Sequence, residues 1–198
     1  MHIHNRFRAF QKIKLALALA LACAGWCASE AASLVRPNIV FLLTDDQRWD
    51  TLGCMGNRII QTPHLDRLAA DGTLFRNAFV TTSICAVSRA SFLSGQYQRR
   101  HKIDDFSKTF SPEAWSQTYP ALLRQHGYRT GFIGKYGVGK EMPEKEFDFW
   151  RGFPGQGQFF EKGETQHLTA KMGDQALEFL KSSSRSQPFC LSISFKAP

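Results

Sequence analysis

The chain has 198 residues, of which 43% are hydrophobic, 13% aromatic and 21% charged, with 15 Gly and 8 Pro. These fractions exclude a disordered tail, a collagen-like repeat and a coiled coil, and the length suffices for one domain with its own core. Lys and Arg number 25 against 17 acids, a net charge of +8, but no tight basic cluster interleaved with aromatics is present, which argues against nucleic-acid binding.

Residues 1–14 are polar and basic, residues 15–22 alternate Leu and Ala, and residues 27–33 are mostly small. That order is the pattern of a secretory signal peptide. The apolar core, even extended to Ala28, is about 14 residues, short of the roughly 20 needed to cross a bilayer. A signal peptide over 1–32 is therefore expected, cleaved between Ala28 and Ala32, with export to the periplasm or the medium. Ala20-Leu-Ala-Cys23 is a poor match to a lipoprotein box. No other stretch is apolar enough for a membrane span. Cys23 and Cys27 would leave with the leader, so Cys54, Cys85 and Cys190 remain, an odd number in an oxidising compartment.

The mature chain reads as alternating strands and helices. Pro37-Asn-Ile-Val-Phe-Leu-Leu-Thr44 predicts a strand apolar on both faces, hence central in a mostly parallel sheet. Residues 62–72 predict a short helix stopped by Gly72, residues 73–79 a strand, and residues 88–95 a helix. A helix over 118–126 closes at Gly127, and a strand over 128–134 runs into Lys135. Residues 140–164, rich in Gly, aromatics and charge, read as a surface excursion. Residues 167–181 predict an amphipathic helix with Leu168, Met172, Ala176, Phe179 and Leu180 on one side. Residues 188–195 predict another central strand. The order implies a three-layer α/β sheet as a single domain over 33–198, with its function past the carboxyl ends of the strands.

Three segments carry chemistry. Asp45-Asp46 at a strand end can offer oxygens to calcium or magnesium, though an acidic pair at a turn also suits a helix cap. Cys85 lies at a helix start, where the dipole favours a thiolate, with Arg89 one turn on; a buried inert Cys beside a surface Arg fits equally. Lys135, set among Gly131, Gly134, Gly137 and Gly139, is placed to meet an anion, or else is an ordinary solvated Lys.

Together the segments resemble a known family. Cys85-Ala-Val-Ser-Arg89 with Phe92-Leu-Ser-Gly95 is similar to the signature of type I, formylglycine-dependent sulfatases. Residues 37–46, 62–72 and 131–135 resemble the first strand and acid pair, the next segment and the lysine segment of that family. The resemblance implies an alkaline phosphatase-like α/β fold and a sulfuric ester hydrolase. It implies that Cys85 becomes formylglycine through a maturing enzyme, and that a hydroxyl of its hydrate attacks sulfur and the second hydroxyl expels sulfate. By the same resemblance Asp45, Asp46 and residue 85 hold calcium or another divalent cation, Arg89 holds the hydrated aldehyde, and Lys135 contacts sulfate. Cys54 and Cys190 are then left as free thiols or a disulfide. The implied substrate is a sulfated small molecule or carbohydrate.

The sequence departs from the family at three places. Val87 stands where the modifying enzyme of aerobic organisms favours Pro, and Gly137 where many members carry a catalytic His; that role is not assigned to His101 or His126. The family's later Asp-Asn pair, second Lys and smaller C-terminal domain have no counterpart before Pro198, so these residues are expected to be the N-terminal part of the catalytic domain, with little activity alone. The rivals are a phosphoester or phosphonate hydrolase of the same fold, and an inactive or carbohydrate-binding fragment.

Overall fold

Residues 36–198 are described in the computed structural model of the chain, so the leader expected over 1–32 lies outside the described residues. Among the described residues four parallel strands form one sheet. Its members are β1 (Ile39–Leu43), β2 (Arg129–Lys135), β3 (Phe149–Phe153) and β4 (Phe189–Ser194), in the order β1-β4-β2-β3. The helices are α1 (Pro63–Asp71), α2 (Cys85–Ser94), α3 (Gln98–His101), α4 (Pro112–Trp115), α5 (Tyr119–Gln125) and α6 (Leu168–Lys181).

Strand alternation divides the side chains between two apolar cores. Phe132 of β2 packs with Ala90 and Leu93 of α2, and with Ile103, Tyr136 and Phe147. Its neighbour Ile133 points the other way, into Phe149, Leu191, Ile193 and the α6 residues Met172 and Phe179. On β4, Leu191 and Ile193 face α6, whereas Ser192 bonds the hydroxyl of Tyr119 on α5 at 2.6 Å. Helices thus cover both faces, giving the expected three layers. Gly134, at φ 99°, lies so close to the Ser194 carbonyl and Met172 that a Cβ there would collide with both.

Several expectations need correction. β1 lies at one end of the described sheet, pairing with β4, and Val40 and Leu42 are 51% and 48% exposed rather than buried. Its other face is covered, because Phe41 meets Phe92 and Tyr119. Residues 73–79 form a loop instead of a strand, with Phe75 and Phe79 exposed; apolar content alone does not supply a hydrogen-bonding neighbour. The excursion over 140–164 contains β3, whose Gly152 and Arg151 hid the strand pattern. Helix α2 starts three residues earlier than predicted, at Cys85 itself. Leu180 is exposed, so the buried stripe of α6 centres on Met172 and Phe179. Cys54 and Cys190 are unbonded thiols, and burial pushes Cys190 up to about 11.

Candidate active site at the carboxyl ends of the strands

Asp45 and Asp46 follow β1, Lys135 ends β2, and Cys85 opens α2. In an extended chain Asp45 and Asp46 would point to opposite sides. Asp46 instead takes a left-handed conformation, φ 53°, which Asp tolerates better than most residues. One ligand atom from each of Asp45, Asp46 and Cys85 then lies within 4.8 Å of the others. Asp45 is buried, Asp46 exposed and Cys85 half-buried.

Two buried cations meet Asp45. Lys135 Nζ donates to Asp45 Oδ2 at 2.6 Å, and Arg89 Nη2 donates to Asp45 Oδ1 at 3.0 Å. Burial pushes the Asp45 carboxyl up, but hydrogen bonds and charge from Lys135 and Arg89 outweigh it and hold the group below its ordinary range. Lys135 is fully buried and Arg89 is 4% exposed, so these charges survive only because each is paired and hydrogen-bonded. With Asp46 alongside, the two cations balance two carboxylates, so an anionic ligand would be met by the Lys135 ammonium itself and not by a net positive field.

Arg89 also fastens the site together. Its Nη1 donates to the Lys135 carbonyl at 2.7 Å and to the Ser194 hydroxyl, tying α2 to the ends of β2 and β4. Gly137 makes room for this clamp: at φ 68°, a Cβ there would sit 2.8 Å from Arg89 Cδ. Cys85 Sγ lies 3.5 Å from Lys135 Nζ and 3.7 Å from Asp45 Oδ1. The adjoining cleft, about 280 Å³, is lined by Asp45, Asp46, Cys85 and Arg89 together with Val80, Ser83 and Phe92.

All five residues singled out in the sequence therefore converge. His101 is occupied elsewhere: its Nε2 meets Ser91 Oγ at 3.1 Å, and its Nδ1 accepts from the Ile103 amide. Sequence reasoning missed Gln156, whose Oε1 accepts from Lys135 Nζ at 2.6 Å, and Ser194, the partner of Arg89. The Gly-Gln-Gly run at 155–157 was the available signal for Gln156. Ser194 gave no signal, being one serine among several in a strand.

Among the described residues no helix is long and apolar enough to cross a membrane. Residues 37–198 match the Sulfatase family. An N-acetylglucosamine-6-O-sulfatase of Bacteroides thetaiotaomicron is 35% identical over 175 residues, 82% of this chain and 31% of that protein. A solved structure of a protein in complex with its substrate, D-glucosamine-2-N,6-O-disulfate, superposes with a TM-score of 0.72 at 34% identity, over 82% of this chain and 35% of that one. A phosphonate monoester hydrolase of Agrobacterium radiobacter shares the fold, with a TM-score of 0.67 and 19% identity over 81% of this chain and 40% of its own. The chain thus spans about a third of the length of the first two relatives. Since the match begins just before β1, takes in the cysteine helix and the lysine strand, and continues past β4, this chain belongs to the sulfatase family.

Proposed function

We propose that these residues serve the hydrolysis of sulfate esters on glycans, in an exported protein whose nucleophile derives from Cys85. The observation that carries the reading is one triangle of atoms: Cys85 Sγ beside the Lys135 ammonium at 3.5 Å and the Asp45 carboxylate at 3.7 Å. A surface cysteine or an idle acid pair has no need of two buried cations.

The donor set fits a hard divalent cation, on one condition. Calcium and magnesium take oxygen ligands, which Asp45 and Asp46 offer and a thiol does not. Formylglycine at position 85 would make the set all oxygen and would supply a hydrated aldehyde as the nucleophile. Held by Asp45, Asp46 and that oxygen, the cation would act as a Lewis acid.

The remaining work falls to the chain itself. The first turn of α2 presents its positive dipole end at residue 85 and favours negative charge there. Lys135 would meet sulfate oxygens as they gain charge, since its ammonium already points at residue 85. Arg89 adds to Lys135 in keeping Asp45 ionised and holds the three strand ends in register around it. The amino-sugar sulfates named for the two relatives near 35% identity support a sulfated glycan as substrate.

The test uses a chimera in which residues 37–198 replace the matching segment of the Bacteroides relative, expressed with a maturing enzyme. The proposal expects an aldehyde-bearing residue 85 by peptide mass, and calcium-dependent turnover of an aryl sulfate well above an aryl phosphate. Preference for the phosphate, with residue 85 still a thiol, would instead favour the phosphoester hydrolase.

A further inference from the structure

We infer that Gln156 is a positioning residue for Lys135, setting the direction in which its ammonium faces residue 85. An ammonium has three protons. Lys135 Nζ meets three acceptors: Asp45 Oδ2 at 2.6 Å, Gln156 Oε1 at 2.6 Å and Cys85 Sγ at 3.5 Å. Two short bonds fix two directions of a tetrahedral group, and the third proton then has one place to go, toward residue 85. With Asp45 alone, its bond and the Cε–Nζ bond would set the proton directions only while the side chain kept its place, and the long chain could swing toward Asp45 and carry the third proton away from residue 85. Gln156 therefore supplies the second anchor.

The topology explains how a residue from the excursion reaches this point. Lys135 pairs in register with Phe153 on β3, and the Tyr136 amide donates to the Phe153 carbonyl at 3.3 Å. Three residues beyond Phe153, the chain turns back across the end of β2. Gly155 and Gly157 make that turn at φ 62° and 64°, which residues with a Cβ adopt at a cost, and a Cβ on Gly157 would strike the Phe153 ring. Gln156 is itself exposed, while the ammonium that it caps is fully buried. An exposed residue contributes little to the core, so its removal separates positioning from folding. As a neutral acceptor it orients the cation without cancelling the charge that an anion needs.

The inference rests on the sulfate-ester reading only for the identity of the anion, and the measurements keep the two apart. The chimera carrying residues 37–198, labelled with 15N-lysine, reports proton exchange at Lys135 Nζ, assigned by Lys135→Arg, while a titration with inorganic sulfate reports anion affinity. Losing a charged hydrogen bond predicts exchange faster by about tenfold or more in Gln156→Ala, and a sulfate Kd raised about fivefold to tenfold. The melting temperature should stay unchanged. Gln156→Glu, an acceptor of equal reach, should keep exchange slow yet weaken sulfate further by its charge. Unchanged exchange in Gln156→Ala would overturn the inference, as would a fall in melting temperature that accounts for faster exchange across the chain. If wild type holds its Lys135 protons through Gln156 but binds no sulfate, the positioning role stands and the sulfate reading fails.

Discussion

Ile133 and Lys135 are two residues apart on β2, both almost fully buried, yet they are held in opposite ways. Ile133 sits in the apolar layer beneath α6 with Met172, Phe179, Leu191 and Ile193. Each methylene there contributes separately, roughly 0.8 kcal/mol when buried. Lys135 sits in a charged knot with Asp45 and Arg89, where no charge is stable without its partner, and the neutral Gln156 and Cys85 border it. Gly134 lies at the boundary, its left-handed backbone breaking the strand pattern just before the site. The contrast shows how one strand can serve both purposes: the apolar layer supplies stability, and part of that stability offsets the burial of charges kept for chemistry.

The largest expected effect comes from breaking the knot. Asp45→Ala strands two buried cations and should cost about 3–5 kcal/mol, read from denaturant melts. Adding Lys135→Met should recover a large part of that loss, because the added change removes a cation that has lost its partner. Strictly additive losses would mean that the knot is not a unit.

Gly137→Ala tests the fit around Arg89. The new Cβ meets the Arg89 side chain and must adopt a left-handed backbone, which predicts a loss of about 1–2 kcal/mol. A neutral result would show that Arg89 is less tightly held than its bonds imply. The apolar layer should behave more gently: Ile133→Val should cost about 1 kcal/mol, and the Lys135 ammonium exchange rate should not change. A change there would contradict the separation of the two regions.

The smallest effect is a pH dependence outside both. Burial lowers the pKa of His101 from its ordinary 6.5, so the folded state favours the neutral ring. Its contribution is complete above pH 6.5. As pH falls below 6.5 the unfolded chain gains a proton that the folded chain resists, and stability declines until the folded value is passed. Melts between pH 8 and 5 (about 1.5 units on either side of that value) should show this slope, and His101→Asn should flatten it.

The site was more legible in the sequence than the sheet around it. Asp45-Asp46, Cys85, Arg89 and Lys135 stood out because their segments together resemble the sulfatase signature, whereas each alone also suited a structural role. Gln156 did not stand out, because its role depends on β3 lying beside β2, and Arg151 and Gly152 obscured that strand. Residues 73–79 misled in the opposite sense, offering Leu74, Phe75 and Phe79 without a neighbouring strand to pair with. The structural duty of Arg89 was also illegible, since its partners come from β2 and β4, 46 and 105 residues farther along the chain. Local pattern finds the chemistry; the partners that hold it in place are distant in sequence.

The central claim is that residue 85 supplies the nucleophile within this knot. The direct measurement is aryl sulfate hydrolysis by the matured chimera carrying residues 37–198, compared with its Cys85→Ala variant at saturating calcium. The account predicts that the variant keeps its melting temperature, because Cys85 is only half-buried, and loses turnover by about a thousandfold or more. Equal rates in the two proteins would contradict it.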